Sequence, residues 1–413
     1  MVEVRKEAET RRVGVALVGA GFMGTRHLHG YAALHAAGVS KATVVAILDL
    51  DRSVADKAAD EAERLLGSRP VVYDDLHALL ADSAVEAIDI VTDPRTHHSI
   101  AIAAMEAGRH VLCEKPLALT VRTAKAMVDT AARTGTTLAT GENYRRGGSN
   151  RLARAVLDAG LLGRVHLMRE VRVGGDNRVI ISKWRHMKAS GAIGLDMAIH
   201  YADIVEYLLG PVERVWGRGI IAEPLRYPAD GSDPLVPDGE DSIIASMLTW
   251  SGVDVQMAYL PSGPGARYSE RVIHGSEGSL SIPPDRTDGD VVVTLGDRVL
   301  KGAELIREVG PHFALSEATV AVLGPDGTGG KGAPWSVVDS GYLAVEIDDF
   351  ADAVLSGRQP EVDGMGGLRP LAVVLAVLES GVAGREVSVD EVLSGSVHAY
   401  QDSIDAQFET ISR

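Results

Sequence analysis

The chain has 413 residues, 46% apolar and 24% charged, a globular balance long enough for two domains and a large core without disulfides. Its single cysteine, Cys113, excludes a disulfide framework and a multi-cysteine zinc site. With 41 Lys and Arg against 57 Asp and Glu the formal charge is −16, and aromatics are only 4%, so neither nucleic acid nor an anionic membrane is an expected partner.

The N-terminal MVEVRKEAETRR carries mixed charge and no apolar signal core, and reads as a frayed tail. No apolar run approaches the ~18 residues that cross a bilayer. The longest, Leu371 to Leu378, follows a proline. A cytoplasmic protein is the expectation.

The first 140 residues alternate between β and helical patterns. Val13 to Val18 is a β run, the Gly19-Ala20-Gly21-Phe22-Met23-Gly24 turn follows, and Thr25 to His35 is helical. Strand patterns at Val44 to Leu48, Val71 to Tyr73, Ala87 to Val91, Val111 to Cys113 and Thr137 to Thr140 alternate with helical ones at Arg52 to Leu66, Leu76 to Leu80, Ser99 to Ala107 and Val121 to Arg133. Such alternation predicts βαβ units in a doubly wound parallel sheet, with ligands at the carboxyl ends of the strands.

The context of the glycine motif predicts a dinucleotide site: a strand before, a helix after, and Asp49 at the end of the next strand, 25 residues past Gly24. Gly19 permits the tight turn, Gly21 admits a pyrophosphate close to the backbone beside Phe22 and Met23, and Gly24 lets helix and strand pack. The helix N-terminus offers unpaired N–H groups to the phosphates. A carboxylate at Asp49 can accept from both ribose hydroxyls and would repel a 2′-phosphate, favouring NAD over NADP; nearby Arg52 weakens that preference.

Further on, Glu114-Lys115-Pro116 follows the strand Val111 to Cys113, and Trp184-Arg185 precedes the run Gly191-Ala192-Ile193-Gly194-Leu195-Asp196-Met197-Ala198-Ile199-His200-Tyr201-Ala202-Asp203. With the glycine motif, this pattern resembles the glucose–fructose oxidoreductase / inositol dehydrogenase / rhizopine catabolism (Gfo/Idh/MocA) family over nearly the whole chain. The resemblance implies catalytic roles for Lys115, Asp196 and His200, places Thr92, Pro94 and His97 near the nicotinamide ribose, puts Glu114 and Lys115 at the cofactor, and needs no metal. Ala192 and Ile193 depart from the usual glycine run, which puts the first turn of that helix in question.

The residues carry the chemistry independently. Oxidising a secondary alcohol requires a hydride acceptor and a base for the hydroxyl proton. The Lys115 ammonium, at the carboxyl edge of the sheet, can polarise the substrate oxygen and stabilise a developing alkoxide. Asp196 and His200 are four apart on an expected helix and share a face. A histidine suits proton transfer, and Asp196 either orients it or binds another substrate hydroxyl.

A second domain is expected over 141–413 after a dinucleotide domain over 1–140. It is α+β: strand patterns at Val165 to Val173, Val212 to Ile221, Ser242 to Trp250, Val253 to Leu260, Arg271 to His274, Ser279 to Ile282 and Val291 to Leu295 predict a largely antiparallel sheet. Helical patterns cover Ala198 to Leu209, Leu343 to Leu355 and Leu371 to Glu379, and Pro224 to Gly239 and Gly324 to Pro334 read as loops. Family members oligomerise through the outer sheet face, so a homo-oligomer, dimer or tetramer, is expected.

From Glu142 to Lys188 eleven Lys and Arg face four Asp and Glu, inside an otherwise acidic chain. Arginine forks suit carboxylate, phosphate or sulfonate groups. One reading is a sugar or polyol carrying an anionic group, held by Tyr144, Arg145, Arg146, Arg178, Lys183, Trp184, Arg185 and His186. The other is arginines paired with acids elsewhere. The activity expected is an NAD-dependent sugar or polyol dehydrogenase. The alternative within the family is an NAD-dependent glycosidase that oxidises a ring carbon transiently and eliminates the aglycone, as on sulfoquinovosides. A non-catalytic sensor is disfavoured by the presence of Lys115, Asp196 and His200.

Overall fold

The computed structural model describes residues 11–263 and 265–411, so most of the expected N-terminal tail lies outside the described residues. Six strands, β1 (Val13–Val18), β2 (Ala42–Leu48), β3 (Val71–Tyr73), β4 (Ala87–Ile90), β5 (His110–Glu114) and β6 (Leu138–Gly141), alternate with α1 (Phe22–Ala36), α2 (Arg52–Leu66), α3 (Leu76–Ala81), α4 (Pro94–Glu106) and α5 (Val121–Thr134). All pairings are parallel, in the order β3-β2-β1-β4-β5-β6. This is the doubly wound order, whose crevice opens where the strand order reverses, beside β1 and β4. Val13, Val15, Leu17, Ile88 and Ile90 have no exposed surface, as strands covered on both faces require.

The helix starts follow local chemistry. Asp51, Asp75, Asp93 and Thr120 cap α2, α3, α4 and α5 through their side chains. α4 begins at Pro94, five residues before the expected start at Ser99, because the Asp93-Pro94 pair is a cap followed by a pre-set first turn. α1 instead starts behind bare Gly21, with no side-chain cap.

The second layer comprises α6 (Gly148–Asp158), β7 (Val165–Val173), α7 (Ala192–Leu209), β8 (Val212–Ile220), β9 (Ser242–Thr249), β10 (Asp254–Leu260), β11 (Tyr268–Gly275), β12 (Ser279–Ile282), β13 (Val292–Leu295), β14 (Arg298–Lys301), α8 (Gly302–Val309), α9 (Glu317–Leu323), α10 (Trp335–Ser356), α11 (Gly364–Ala383), β15 (Val387–Ser388), α12 (Val389–Leu393) and α13 (Asp402–Ile411). Its nine-stranded sheet runs β14-β13-β12-β11-β7-β10-β9-β8-β15, antiparallel except for β7 beside β10. One face packs under α7 and α11. By register the other carries the exposed Trp216, Ile244 and Tyr268.

The chain then returns to the first sheet. α10 lays Ala344, Ile347 and Phe350 against Leu28, Tyr31 and Leu34 of α1. The crossing is close at Gly30, where a Cβ would lie 3.1 Å from the Leu343 side chain. α11 starts seven residues before the expected Leu371, because Pro370 sits inside the helix instead of ahead of it. It is long and apolar enough to cross a membrane by composition, yet 72% of its apolar window is buried against the rest of the fold.

The glycine loop shows why two of its glycines are structural. Gly19 has φ 98° and faces the β4–α4 turn, where a Cβ would lie 3.0 Å from the Thr92 nitrogen. A Cβ on Gly24 would overlap the Gly19 carbonyl oxygen. Gly24→Ala is therefore expected to cost about 1–3 kcal/mol, read as a lower midpoint in denaturant unfolding; an unchanged midpoint would mean that the loop relaxes freely.

Candidate active site

The carboxyl ends of β1, β4 and β5 bring the Gly19–Gly24 turn, the Thr92–Pro94 turn and the Glu114–Pro116 turn to one edge, opposite α7. At Gly21 a Cβ would point into open space. With α1 uncapped, that opening and the first-turn N–H groups form a cradle that fits a pyrophosphate. Phe22 is 57% exposed beside it, and Met23 is half-buried. At the end of β2 the two Asp49 oxygens accept from the Ala20 N–H at 2.8 Å and the Asp51 N–H at 3.0 Å. A carboxylate has about four acceptor sites, so capacity for ribose hydroxyls remains. Arg52 is exposed and donates to Asp56 at 3.1 Å.

Thr92 and Thr96 share a hydroxyl contact of 2.8 Å, and Pro94 is buried in the first turn of α4. His97 is also buried, its ring nitrogens 2.9 Å from the Pro116 carbonyl and 3.2 Å from the Thr92 carbonyl. It ties the two turns together from beneath. Glu114 likewise turns inward. It accepts the Lys115 N–H at 2.9 Å and contacts His27 at 3.2 Å, and His27 in turn contacts Asp89 at 2.9 Å. Burial works against charge at both groups. The adjacent carboxylates nevertheless hold His27 well above its ordinary value, and His27 holds Glu114 low. The expected cofactor-side carboxylate is thus a buried support for the Lys115 backbone, and the Lys115–Pro116 bond is cis.

Lys115 crosses to α7. Its Nζ donates to the Asp196 carboxylate at 2.8 Å and to the Asp196 carbonyl at 3.0 Å. An ammonium has three N–H groups, so one is left for a further acceptor. Arg185 pairs with the other Asp196 oxygen. Burial alone would raise this carboxyl, but Lys115 and Arg185 outweigh it and hold Asp196 below the usual range.

One turn on, His200 stacks on Tyr144, with ring centroids 4.0 Å apart and planes 4° from parallel. Its Nδ1 lies 2.6 Å from Glu142 Oε1, and Nε2 has no hydrogen-bond partner among the described residues. Burial, then Lys115 and Arg286, hold this imidazole well below its ordinary value. Burial pushes Glu142 up to about 7 and Asp203 up to about 6, against the nearby cations.

The first turn of α7 absorbs the departure at Ala192 through backbone strain: Gly191 has φ 91° and Ala192 has φ 55°. A left-handed alanine costs roughly 1–2 kcal/mol.

The expected arginine cluster divides. Arg145 grips the buried Asp203 with two bonds and stacks over Tyr207. Arg146, buried, pairs with Glu361 at 2.5 Å and Asp349 at 3.0 Å. Arg185 holds Asp196 and lies over the half-buried Trp184. His186 accepts from the Ile180 N–H at 2.9 Å, and burial and then Arg226 lower it to about 4. These side chains are engaged internally. Arg178 and Lys183 are exposed, and Lys183 donates to Ser232 at 3.2 Å.

Residues outside the expected set also border the site. Glu142 stands behind His200. Arg286 lies over Tyr144 and, with Arg26, grips Asp339. Arg172, at the end of β7, is exposed and forms no ion pair among the described residues. Its guanidinium acts on the phenols of Tyr201, Tyr144 and Tyr259. Alternation along β7 puts Arg172 on the inner face with Met168 and Glu170, the one signal that could have found it.

Comparison with known proteins gives one family twice over. The model described as "Oxidoreductase family, NAD-binding Rossmann fold" matches residues 13–142, and the GFO/IDH/MocA C-terminal domain matches residues 150–281. Levoglucosan dehydrogenase of Pseudarthrobacter phenanthrenivorans is 28% identical, over 92% of this chain and 99% of that protein. Myo-inositol 2-dehydrogenase of Thermotoga maritima is 26% identical, over 92% of this chain and 99% of its own length. A solved levoglucosan dehydrogenase, in complex with NADH and L-sorbose, superposes with a TM-score of 0.76 at 26% identity, covering 93% of this chain and 100% of that one.

The role of Arg145 is open to measurement. Arg145→Gln leaves Asp203 buried and unpaired, a loss of about 3–5 kcal/mol. Without Arg145 the folded carboxyl rises further above its wild-type value of about 6, so the penalty that separates the variant from the wild type opens as pH rises through about 6. The drop in denaturation midpoint is expected to be larger at pH 8 than at pH 5. An equal or smaller drop at pH 8 would remove Asp203 as the cause.

Proposed function

This chain belongs to the Gfo/Idh/MocA oxidoreductase family, and from that premise we propose that it is an NAD-dependent dehydrogenase acting on a secondary alcohol of a sugar or polyol. The observation that carries the reading is the Lys115–Asp196 ion pair with His200 one turn farther along α7. NAD, held by the Gly19–Gly24 turn and Asp49, supplies the hydride-accepting carbon. The open acceptor sites of Asp49 favour it over a cofactor with a 2′-phosphate, and Arg52 is drawn off by Asp56.

The remaining N–H of Lys115 holds the substrate hydroxyl oxygen and stabilises the alkoxide that develops on it. Asp196 keeps the ammonium in place and charged. His200 Nε2 takes the hydroxyl proton. Tyr144 fixes the ring plane, so that only one nitrogen faces the substrate.

Incubation with NAD and a panel of levoglucosan, myo-inositol and glycosides, following NADH absorbance and free aglycone together, tests the reaction. Stoichiometric NADH is expected; aglycone release without net NADH would replace this reading with the transient-oxidation glycosidase. Lys115→Ala and His200→Ala should each lower turnover by about 10²-fold or more while NAD still binds. Full activity in both variants would remove these roles.

The substrate carries an anionic group that Arg172 receives. This arginine has no ion pair among the described residues; it sits among the phenols of Tyr201, to which it is hydrogen-bonded, Tyr144, on whose ring His200 stacks, and Tyr259. Hydrogen bonds to charged groups contribute about 1.5–3 kcal/mol, so Arg172→Gln should raise KM for a uronate or sugar sulfonate by roughly 10- to 100-fold. KM for a neutral polyol should stay unchanged. Equal effects on both substrates would leave Arg172 a wall residue only.

A further inference from the structure

We propose that Glu142 is the terminal proton acceptor of this site, receiving through His200 the proton that leaves the substrate hydroxyl. The inference rests on the reading that His200 meets the substrate, and it adds a group that acts through His200.

Geometry gives the path. Glu142 follows β6 directly, is 3% exposed, and sets Oε1 2.6 Å from His200 Nδ1. The stacked Tyr144 holds the ring in plane, so Nδ1 faces Glu142 while Nε2 faces away. Tyr144 also directs its own N–H toward the same Oε1, at 3.4 Å. A carboxylate at Nδ1 fixes the Nδ1–H tautomer and leaves the Nε2 lone pair bare, the form that a base requires.

The surrounding charges decide where the proton comes to rest. Lys115 after β5 and Arg286 from the loop before β13 disfavour a charged imidazole, and Asp196 on α7 and Glu114 on β5 favour it less strongly. With burial added, imidazolium is a poor resting form. Around Glu142 stand Lys115, Arg145, Glu114 and Asp203. Burial dominates there and brings its carboxyl to about 7, close to where a proton acceptor works best.

The step balances. The substrate O–H bond breaks as Nε2–H forms. The Nδ1–H bond breaks as an O–H bond forms on Glu142, and the C–H electron pair departs to the nicotinamide. Imidazole is neutral before and after. One carboxylate charge disappears together with the positive charge of the oxidised cofactor, so the buried site gains no net charge. That is the favourable outcome where solvation is poor.

The test uses the full chain labelled with 15N-histidine, with His200 assigned from a His200→Gln sample. In the wild type, lowering pH through about 7 should switch His200 from the Nδ1–H to the Nε2–H tautomer without imidazolium, because the proton enters on Glu142. In Glu142→Gln the switch should vanish. With the panel substrate that turns over fastest, Glu142→Gln should lower kcat by about 10²-fold and lose the acidic limb near pH 7, with NAD affinity intact, and Glu142→Asp should recover part of the rate. An imidazolium signal in the wild type near neutrality, or wild-type kcat and pH profile in Glu142→Gln, would overturn the relay. The nitrogen spectra need no substrate, so they separate the two failures: full turnover in His200→Ala would remove the reading on which the relay rests, whereas a missing tautomer switch with His200→Ala inactive would overturn the Glu142 step alone.

Discussion

The contact on which the rest depends is the buried ion pair between Lys115, at the end of a strand in the first sheet, and Asp196, on the helix that covers the second. Each group alone would be costly to bury, and their attraction offsets that cost only when the geometry is held and the remaining valences are filled. The fold supplies both. Glu114, braced by His27 and Asp89, fixes the lysine backbone from below. Arg185 fills the second Asp196 oxygen, and α11 packs behind α7. The charges around the cleft are therefore placed by the packing of two sheets and not by any local motif.

That placement sets the electrostatics of the neighbouring groups in opposite directions. Asp196 touches two cations and stays low. Glu142 and Asp203, buried with less compensation, rise to about 7 and about 6. His200 falls because it shares its surroundings with Lys115 and Arg286. Groups of one chemical type are thus pushed in opposite directions within two turns of α7 and the chain after β6. Divergent values of this kind allow one site to hold both an ionised anchor and a proton acceptor.

Much of the first sheet was legible because its strands are buried on both faces and its helices begin at Asp or Thr caps. The strand Ser279–Ile282 was readable to the residue. The starts of α4 and α11 were misread for one physical reason: a proline that belongs to a helix looks, in sequence, like the end of a loop. The short α8 and α9, the edge strand β14 and the C-terminal α13 carry too few periodic positions to stand out. The juxtaposition of Lys115 with the Asp196–His200 face could be read from the resemblance and from helical spacing. The roles of Glu114 and Glu142 could not, since whether a carboxylate faces a ligand or a neighbouring side chain is decided by partners far away in the chain.

The arginines show the same limit most clearly. Sequence counts a local positive excess, but a count does not register pairing. Arg145, Arg146 and Arg185 are matched by Asp203, Glu361 with Asp349, and Asp196, and all but the last of these acids lie downstream of the α7 motif's Asp196. Glu170 and Arg172 share one face of one strand, two residues apart. Glu170 is paired with the buried Arg271, whereas Arg172 stands near the strand's end among the phenols of Tyr201, Tyr144 and Tyr259. Position along the strand, more than charge density in the sequence, separates a charge that is matched by an ion pair, Glu170, from one that has none among the described residues, Arg172.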